Sequence, residues 1–526
     1  NTDTRGTINF GRNYTNNPVT NSGGSGLASL LTGYINSAAR GFLLEPYTLR
    51  TQEHGLFVQD DFKVSPRFTI NAGVRYEIFG AETEEDNKVV NFDPVGLRLI
   101  YAGEDGASRS VNKKTRYGNV APRLGLTYDL FGDASTILRT GFGITYFPVQ
   151  PSASNMIGQQ VPYTVSQNVS FATNPTDFSG VRTIDNPFPP VAQIKPRTTA
   201  ELQAANPRVL GHSFENETPY AEQWHLGIER RVLSAMAVEL TYAGSAGKHL
   251  VFCYNPNEVQ PGIGSQESRR LIQPLNRLNN MVQCDPRNRS TYHSGQLKVT
   301  QRFTGGVQFL VSYTLGKALD YGGSAASGGG AVGNPQTVTN LEAGHGPSGF
   351  DVRHRAVFSG VWELPWGPGR RWIQDGGVLG AIVGGWQLSG IGTVTTGRPF
   401  TVFMQNGVNN GAPSWPNRIG SGKLEDPSVN LWYNPRDFVA PPANTYGDSG
   451  RGILYGPGHV NFDTSLSKRF TVVGRTNVEF RWDAFNLFNN PGFGFPNQNF
   501  DSPTAGRITS TVVDNRSMQF SLKFNF

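Results

Sequence analysis

No stretch of this 526-residue chain is apolar for long enough to cross a membrane as a helix. The longest candidate, Gly377–Trp386, is glycine-rich and falls well short of the roughly 20 residues such a span requires. Cysteine is nearly absent: two residues permit one disulfide, and no clustered zinc ligands accompany them. The chain opens on Asn1-Thr2-Asp3, with neither the basic start nor the apolar core of a signal peptide, so it is expected to be processed or a piece of a longer chain. Charge of one sign is also scarce. The formal excess of +6 is scattered along the sequence rather than massed on a stripe, which argues against nucleic acid as a partner.

Catalytic signatures are missing as well. Gly244-Ser245-Ala246-Gly247-Lys248 lacks the upstream glycine and the following Ser or Thr of a phosphate loop. There is no G-x-S-x-G elbow and no H-E-x-x-H, and the eight histidines are dispersed. No enzyme activity and no cofactor are expected.

What the chain does have is alternation. In Ser517–Phe526, Met518, Phe520, Leu522, Phe524 and Phe526 alternate with Gln519, Ser521, Lys523 and Asn525, so one side of an extended segment is oily and the other polar. The same period of two recurs in pairs joined by short turns: His54–Val64 with Phe68–Phe79, Val120–Leu130 with Thr136–Phe147, and Ala221–Val232 with Ala237–Gly244. Gln296–Phe303 follows with Val307–Leu315, Arg355–Leu364 with Gly385–Thr396, and Val460–Phe470 with Thr476–Phe488. Between pairs, the spacers of roughly 30 to 70 residues far exceed ordinary connections in compact soluble domains. One turn is unusual, since Pro365–Gly384 is long.

Alternating short and long connections predict an all-β, antiparallel transmembrane β-barrel with short periplasmic turns and long extracellular loops. A weaker first strand at Gly6–Tyr14 brings the expected count to about 14, in a single domain over residues 1–526. A hydrophobic fraction of 37% and a mean hydropathy of −0.37 suit a barrel, in which only alternate strand residues meet lipid. Aromatics near strand ends, among them Tyr76, Tyr128, Tyr242, Tyr313, Trp362 and Trp386, suit interfacial girdles. The competing reading is a soluble β-sandwich with ordinary core aromatics.

Charged residues on a lipid face are costly, so the polar partners of each alternation are expected to face the lumen. They are Arg75, Glu77, Arg123, Asp129, Arg139, Glu229, Arg231, Lys298, Lys317, Glu479, Arg481 and Asp483. There they line water, hold a plug, or simply pair with one another across strands. In the loops, Asn406, Asn409, Asn410, Trp415, Trp432, Tyr433, Tyr446 and Tyr455 combine aromatic platforms with amides, a set suited to a sugar or peptide and equally to packing between loops. Cys253 and Cys284 lie in one long loop on the oxidising side, where a disulfide is favoured over free thiols, a metal site or a nucleophile. Gly322–Gly330 has a mobile composition.

The segments Phe57-Val58-Gln59-Asp60-Asp61-Phe62-Lys63-Val64-Ser65-Pro66-Arg67 with Asn71-Ala72-Gly73-Val74-Arg75-Tyr76-Glu77, then Ala121-Pro122-Arg123-Leu124-Gly125, Gln223-Trp224-His225-Leu226-Gly227, Phe350-Asp351-Val352-Arg353-His354-Arg355, and Trp482-Asp483-Ala484-Phe485-Asn486-Leu487-Phe488-Asn489 stand out along the chain. Together they resemble the barrel of TonB-dependent outer-membrane transporters, in particular the Oar-like group. The resemblance implies a 22-stranded barrel, an N-terminal plug and a short segment that contacts an energised inner-membrane complex. It implies transport of a large solute, outer-membrane lipid as surroundings, and recognition of the C-terminal strand (Phe520, Leu522, Phe524, Phe526) by the barrel-assembly machinery. The chain departs from that pattern in having no plug-like region, so it resembles the C-terminal part of such a protein, and coupling to TonB would run through the missing N-terminal region. A passive porin and a surface adhesin are the alternatives.

Overall fold

In the computed structural model, residues 5–148, 155–171, 178, 180–191, 193–322, 333–374, 377–404, 415–473 and 476–526 are described. Period-two sequence becomes strand in each of the expected segments from His54 onward. The principal sheet has fifteen strands, two of them short pieces attached to its side, and the remaining thirteen follow one another in strict chain order. These are β1 Glu53–Ser65, β2 Phe68–Phe79, β3 Arg116–Asp129, β4 Thr136–Tyr146, β5 Tyr220–Leu233, β6 Met236–Tyr254, β7 Met281–Thr304, β8 Val307–Asp320, β9 His354–Glu363, β10 Trp386–Thr395, β11 His459–Val473, β12 Thr476–Phe485 and β13 Ser517–Asn525. Each is antiparallel to the next, an up-and-down meander.

The register sorts side chains onto two faces. Across β5, β6, β7 and β8, Ile228 opposes Leu240, Leu240 opposes Leu297, and Leu297 opposes Tyr313, while Glu229 opposes Glu239, Glu239 opposes Lys298, and Lys298 opposes Ser312. The same division continues to the last strand, where Trp482 pairs with Phe520 and Phe480 with Leu522. Among the described residues no second layer covers the oily face: Phe520 is 69% exposed, Leu522 63% and Phe524 66%. A soluble sandwich buries such a face, because leaving it in water forgoes about 25 cal/mol per Å² of apolar surface. Lipid is the remaining cover.

The buried hydrophobic clusters lie instead in the connections and the outer ends of the strands. One joins Val90, Phe92, Leu99 and Tyr101 to Leu202, Val209, Leu275, Leu278 and Met281; another gathers Phe400, Val402, Tyr433, Phe438 and Leu454. Long loops that fold on one another bury their backbone polar groups in pairs, which is how they remain ordered outside a membrane.

Three expectations need correction. The weak first strand is not in the wall: Thr7–Asn9 forms a separate three-stranded sheet with Ser37–Leu43 and Thr164–Ser170, and Ile8 and Phe10 pack against Ile35, Ala38 and Phe188. At three residues it is far below the 9 to 11 needed to span. Cys253 and Cys284 are not in a free loop either. β6 (19 residues) and β7 (24 residues) run on beyond the length a span needs, and their extensions carry the two cysteines as cross-strand partners joined by a disulfide. Lys317 shares the side of Tyr313 and Leu315 rather than that of Ser312, so it leaves the polar set.

Both ends of the meander are edges. Among the described residues β1 and β13 each have one neighbour, and nearly every residue of both strands is exposed.

Candidate functional site

The polar face of the wall is the first candidate, and strand order dictates its contents. On β2, Arg75 and Glu77 are spaced by two, so they share a face, and Arg75 Nε lies 2.8 Å from Glu77 Oε1. Arg123 projects between Gly73 and Gly143, which carry no side chains to crowd it. Arg139 and Glu229 meet at 2.5 Å across the β4–β5 seam, Glu229 stands opposite Glu239, and Lys298 closes the row 3.4 Å from Glu239. Arg231 continues below it, its guanidinium donating to the Asp133 carbonyl at 3.3 Å. On the last strands Arg469 and Glu479 are 3.1 Å apart, with Lys523 opposite Glu479, and Arg481 lies 2.8 Å from Asp483.

Every one of the nominated charges Arg75, Glu77, Arg123, Arg139, Glu229, Arg231, Lys298, Glu479 and Arg481 therefore lies on one face. Glu239, Arg469 and Lys523 belong with them. Their signal was present in the alternation Ala237, Glu239, Thr241 and in the Lys523 step of the last strand. The face also lines a hollow of about 940 Å³ bounded by Lys298, Arg302, Ser359, Asp463, Arg481 and Asp483. Half-exposed pairs of this kind add about 0.2–1 kcal/mol each, so their contribution to stability is small. What they provide is a wettable surface of mixed sign on one side of a wall whose other side is hydrocarbon-like.

The loop residues divide differently. Asn406, Asn409 and Asn410 lie outside the described residues, as does nearly all of 322–330. Trp415 is 4% exposed, its backbone N–H donating to Gln336 Oε1 at 2.6 Å. Tyr433 is 1% exposed, with Phe400 and Phe438 against its ring, and burial pushes its phenol pKa up. Both side chains are buried, and the ring of Tyr433 packs in the loop core with Phe400 and Phe438. The Trp432 indole donates to the Tyr455 carbonyl at 2.9 Å, and half-buried Tyr446 donates to Gln260 Oε1 at 3.3 Å, its phenol pKa also raised by burial.

Tyr455 is the one open aromatic of the described group. Lys317 Nζ reaches its hydroxyl at 2.8 Å and lies 5.5 Å from its ring centre, while Asp351 holds the same ammonium at 2.9 Å. Packing between loops, which served equally well to explain these residues in the sequence, accounts for Trp415 and Tyr433. It could not be told apart from ligand binding there because the partners, Phe400 and Gln336, are distant in the chain. Among the described residues no group of acidic, cysteine and histidine side chains is arranged to hold a metal ion.

No curated protein sequence matches the chain. Solved structures similar to it include the ferripyoverdine receptor of the outer membrane of Pseudomonas aeruginosa, bound to ferripyoverdine, at 10% identity and a TM-score of 0.43, covering 92% of this chain and 44% of that one. The outer membrane transporter YddB from Escherichia coli is similar at 9% identity and a TM-score of 0.42, covering 92% of this chain and 54% of the other. The ferric-catecholate import receptor Fiu from E. coli K12 is similar at 11% identity and a TM-score of 0.40, covering 92% and 45%. The chain thus spans about half the length of these structures or less. A sequence model described as the outer membrane beta barrel domain matches residues 1–519. With an antiparallel meander, an uncovered oily face and a charged opposite face on the page, that match is decisive, and the chain belongs to the outer membrane β-barrel domain family, located in the outer membrane of Gram-negative bacteria.

Proposed function

We propose that this chain is a portion of the wall of a TonB-dependent transporter that moves a solute too large for simple porins, and that the whole of it is one barrel domain. The observation that carries the reading is the polar face, where positive and negative side chains recur from Arg75 on β2 to Lys523 on β13 as a water-compatible lining. A lining of mixed sign suits either a plug or a large solute with its own polar groups, and it disfavours the single-sign rings of an ion-selective pore. The loop clusters supply a stable rim around its outer mouth.

The two edges support the partial-wall element of this reading. An unpaired backbone edge in lipid costs several kcal/mol for each unsatisfied group. In the working barrel β1 and β13 are therefore each paired, with one another or with further strands. Energising by the TonB complex runs through a region other than the wall, and the barrel-assembly machinery engages β13, whose oily side chains Phe520, Leu522 and Phe524 are presented free of cover.

Uptake of candidate solutes by cells carrying or lacking the full gene, with the inner-membrane energiser intact or disabled, tests the reading. Uptake that depends on the gene and ignores the energiser defeats it. Steady single-channel openings of the refolded chain in planar bilayers favour a passive channel instead.

A further inference from the structure

The connection from β9 to β10 is the long exception among the short turns, and its structure is specific. Residues Val378–Val383 form a single short helix. Leu364 N–H donates to the Trp386 carbonyl at 2.9 Å, and Trp372 N–H donates to the Pro365 carbonyl at 3.0 Å, so the segment folds back on its own base. Gly367, with φ +104°, passes so near Gly384 that a Cβ on it would lie 2.6 Å from the Gly384 Cα. A glycine is required there by both conformation and space.

The helix is tied to the outer side of the wall. Trp386 opposes Lys468, and both share the face of Leu388, Leu466 and Phe480. The Trp386 indole N–H donates to the Ile382 carbonyl at 2.9 Å; Lys468 Nζ donates to the same carbonyl at 3.0 Å and also to that of Ala381. A lysine is out of place on an oily face, yet this one is only 5% exposed and lies 4.8 Å from the Phe470 ring centre and 5.6 Å from that of Trp386. The last carbonyls of the helix and two aromatic rings take the place of water around its charge.

With its carbonyl end held by the wall, the helix turns its apolar side chains away from protein: Val378 is 79% exposed, and Leu379 and Ile382 are each 61% exposed. Trp372 is 50% exposed beside them, and the Arg371 guanidinium lies 5.6 Å from its ring centre. Aliphatic, aromatic and basic side chains in this arrangement match the composition of segments that lie in a membrane interface.

We infer that the β9–β10 connection is a membrane-interface anchor: Val378, Leu379 and Ile382 enter the acyl chains of the periplasmic leaflet, and Arg371 stays among the phosphates. The occupant is lipid rather than a protein, because the exposed side chains continue the lipid-facing surface of β10, β11 and β12 without a step, through Trp386, Lys468 and Phe480. The anchor fixes the height of the wall in the bilayer on this side.

The test uses the full-length protein, with β1 and β13 paired as in the working barrel, refolded into vesicles of phosphatidylethanolamine and phosphatidylglycerol, with Cys253 and Cys284 held in their disulfide. Single variants Leu379→Cys and Ile382→Cys carry a nitroxide, and collision with oxygen is compared with collision with a water-soluble nickel chelate. Phe358→Cys on the oily face and Ser467→Cys on the polar face are the references, and an unchanged heat-modifiable gel shift shows that each variant is folded. Labels at 379 and 382 are expected to match Phe358→Cys, with nickel access at least several-fold below that of Ser467→Cys. Nickel access equal to that of Ser467→Cys overturns the anchor, as does shielding from both reagents, which means that polypeptide covers the helix.

Discussion

Arg139 Nη1 and Glu229 Oε2 lie 2.5 Å apart on the polar face, and the next strand places Glu239 directly opposite Glu229. Two carboxylates facing one another across a seam repel unless cations flank them, and Arg139 and Lys298 occupy the flanking strands. The row is therefore a coupled set.

Its coupling is measurable. Removing either cation alone, as Arg139→Gln or Lys298→Gln, is expected to cost about 0.2–1 kcal/mol, in keeping with half-exposed pairs. The double variant is expected to cost more than the sum, since both glutamates then lack a neighbouring cation. Urea unfolding of the detergent-refolded chain measures each value, and strict additivity would show that the row does not act together.

The two faces of β6 make a sharper contrast. Leu240→Arg is expected to cost about 2–4 kcal/mol in a bilayer, whereas Thr241→Arg, one residue on and on the polar face, is expected to be tolerated. Folding yield and urea midpoint in lipid vesicles report both. Equal tolerance at the two positions would contradict the assignment of the oily face to lipid.

The disulfide closes a 31-residue separation between the outward extensions of β6 and β7. Replacing both cysteines by serine is expected to lower the stability of that extension by about 3–4 kcal/mol, the value for loop closure over such a length. Limited proteolysis should then cut between 255 and 280 while the wall remains resistant. Unchanged protection would assign the stability to the cluster of Leu275, Leu278 and Met281 instead.

Acid should loosen one loop contact before the wall responds. A hydrogen bond from Lys195, together with one from Arg197, holds the Glu104 carboxyl below its ordinary pKa of 4.5. A lowered carboxylate pKa contributes stability that is complete above pH 4.5 and is lost as pH falls below it through the folded-state value. Hydrogen exchange at 196–205 should accelerate over that acid range, and Glu104→Gln should remove the pH dependence. Acceleration retained in Glu104→Gln would assign the effect to another group.

Strand positions and their facing were legible because a strand's pattern is local: side chains alternate with every residue, so Phe520 and Lys523 declare opposite sides without reference to any partner. The nominated lumen charges lie on one face for that reason. Lys317 did not fit because its own step in the alternation, shared with Tyr313 and Leu315, puts it on the oily side, where Asp351 and Tyr455 hold its ammonium. Gly6–Tyr14 misled because a few alternating residues do not make a span.

By itself the sequence determined an outer-membrane wall, its up-and-down order and the division of its side chains between lipid and water. Each follows from spacing along the chain and from the cost of putting charge in hydrocarbon. Only the tertiary structure decided that Trp415 and Tyr433 are buried, that Cys253 and Cys284 are strand neighbours, and that Lys468 tethers a helix to the oily face. Those facts depend on which distant segments meet, and a contact between residues tens of positions apart leaves no periodic trace in either segment.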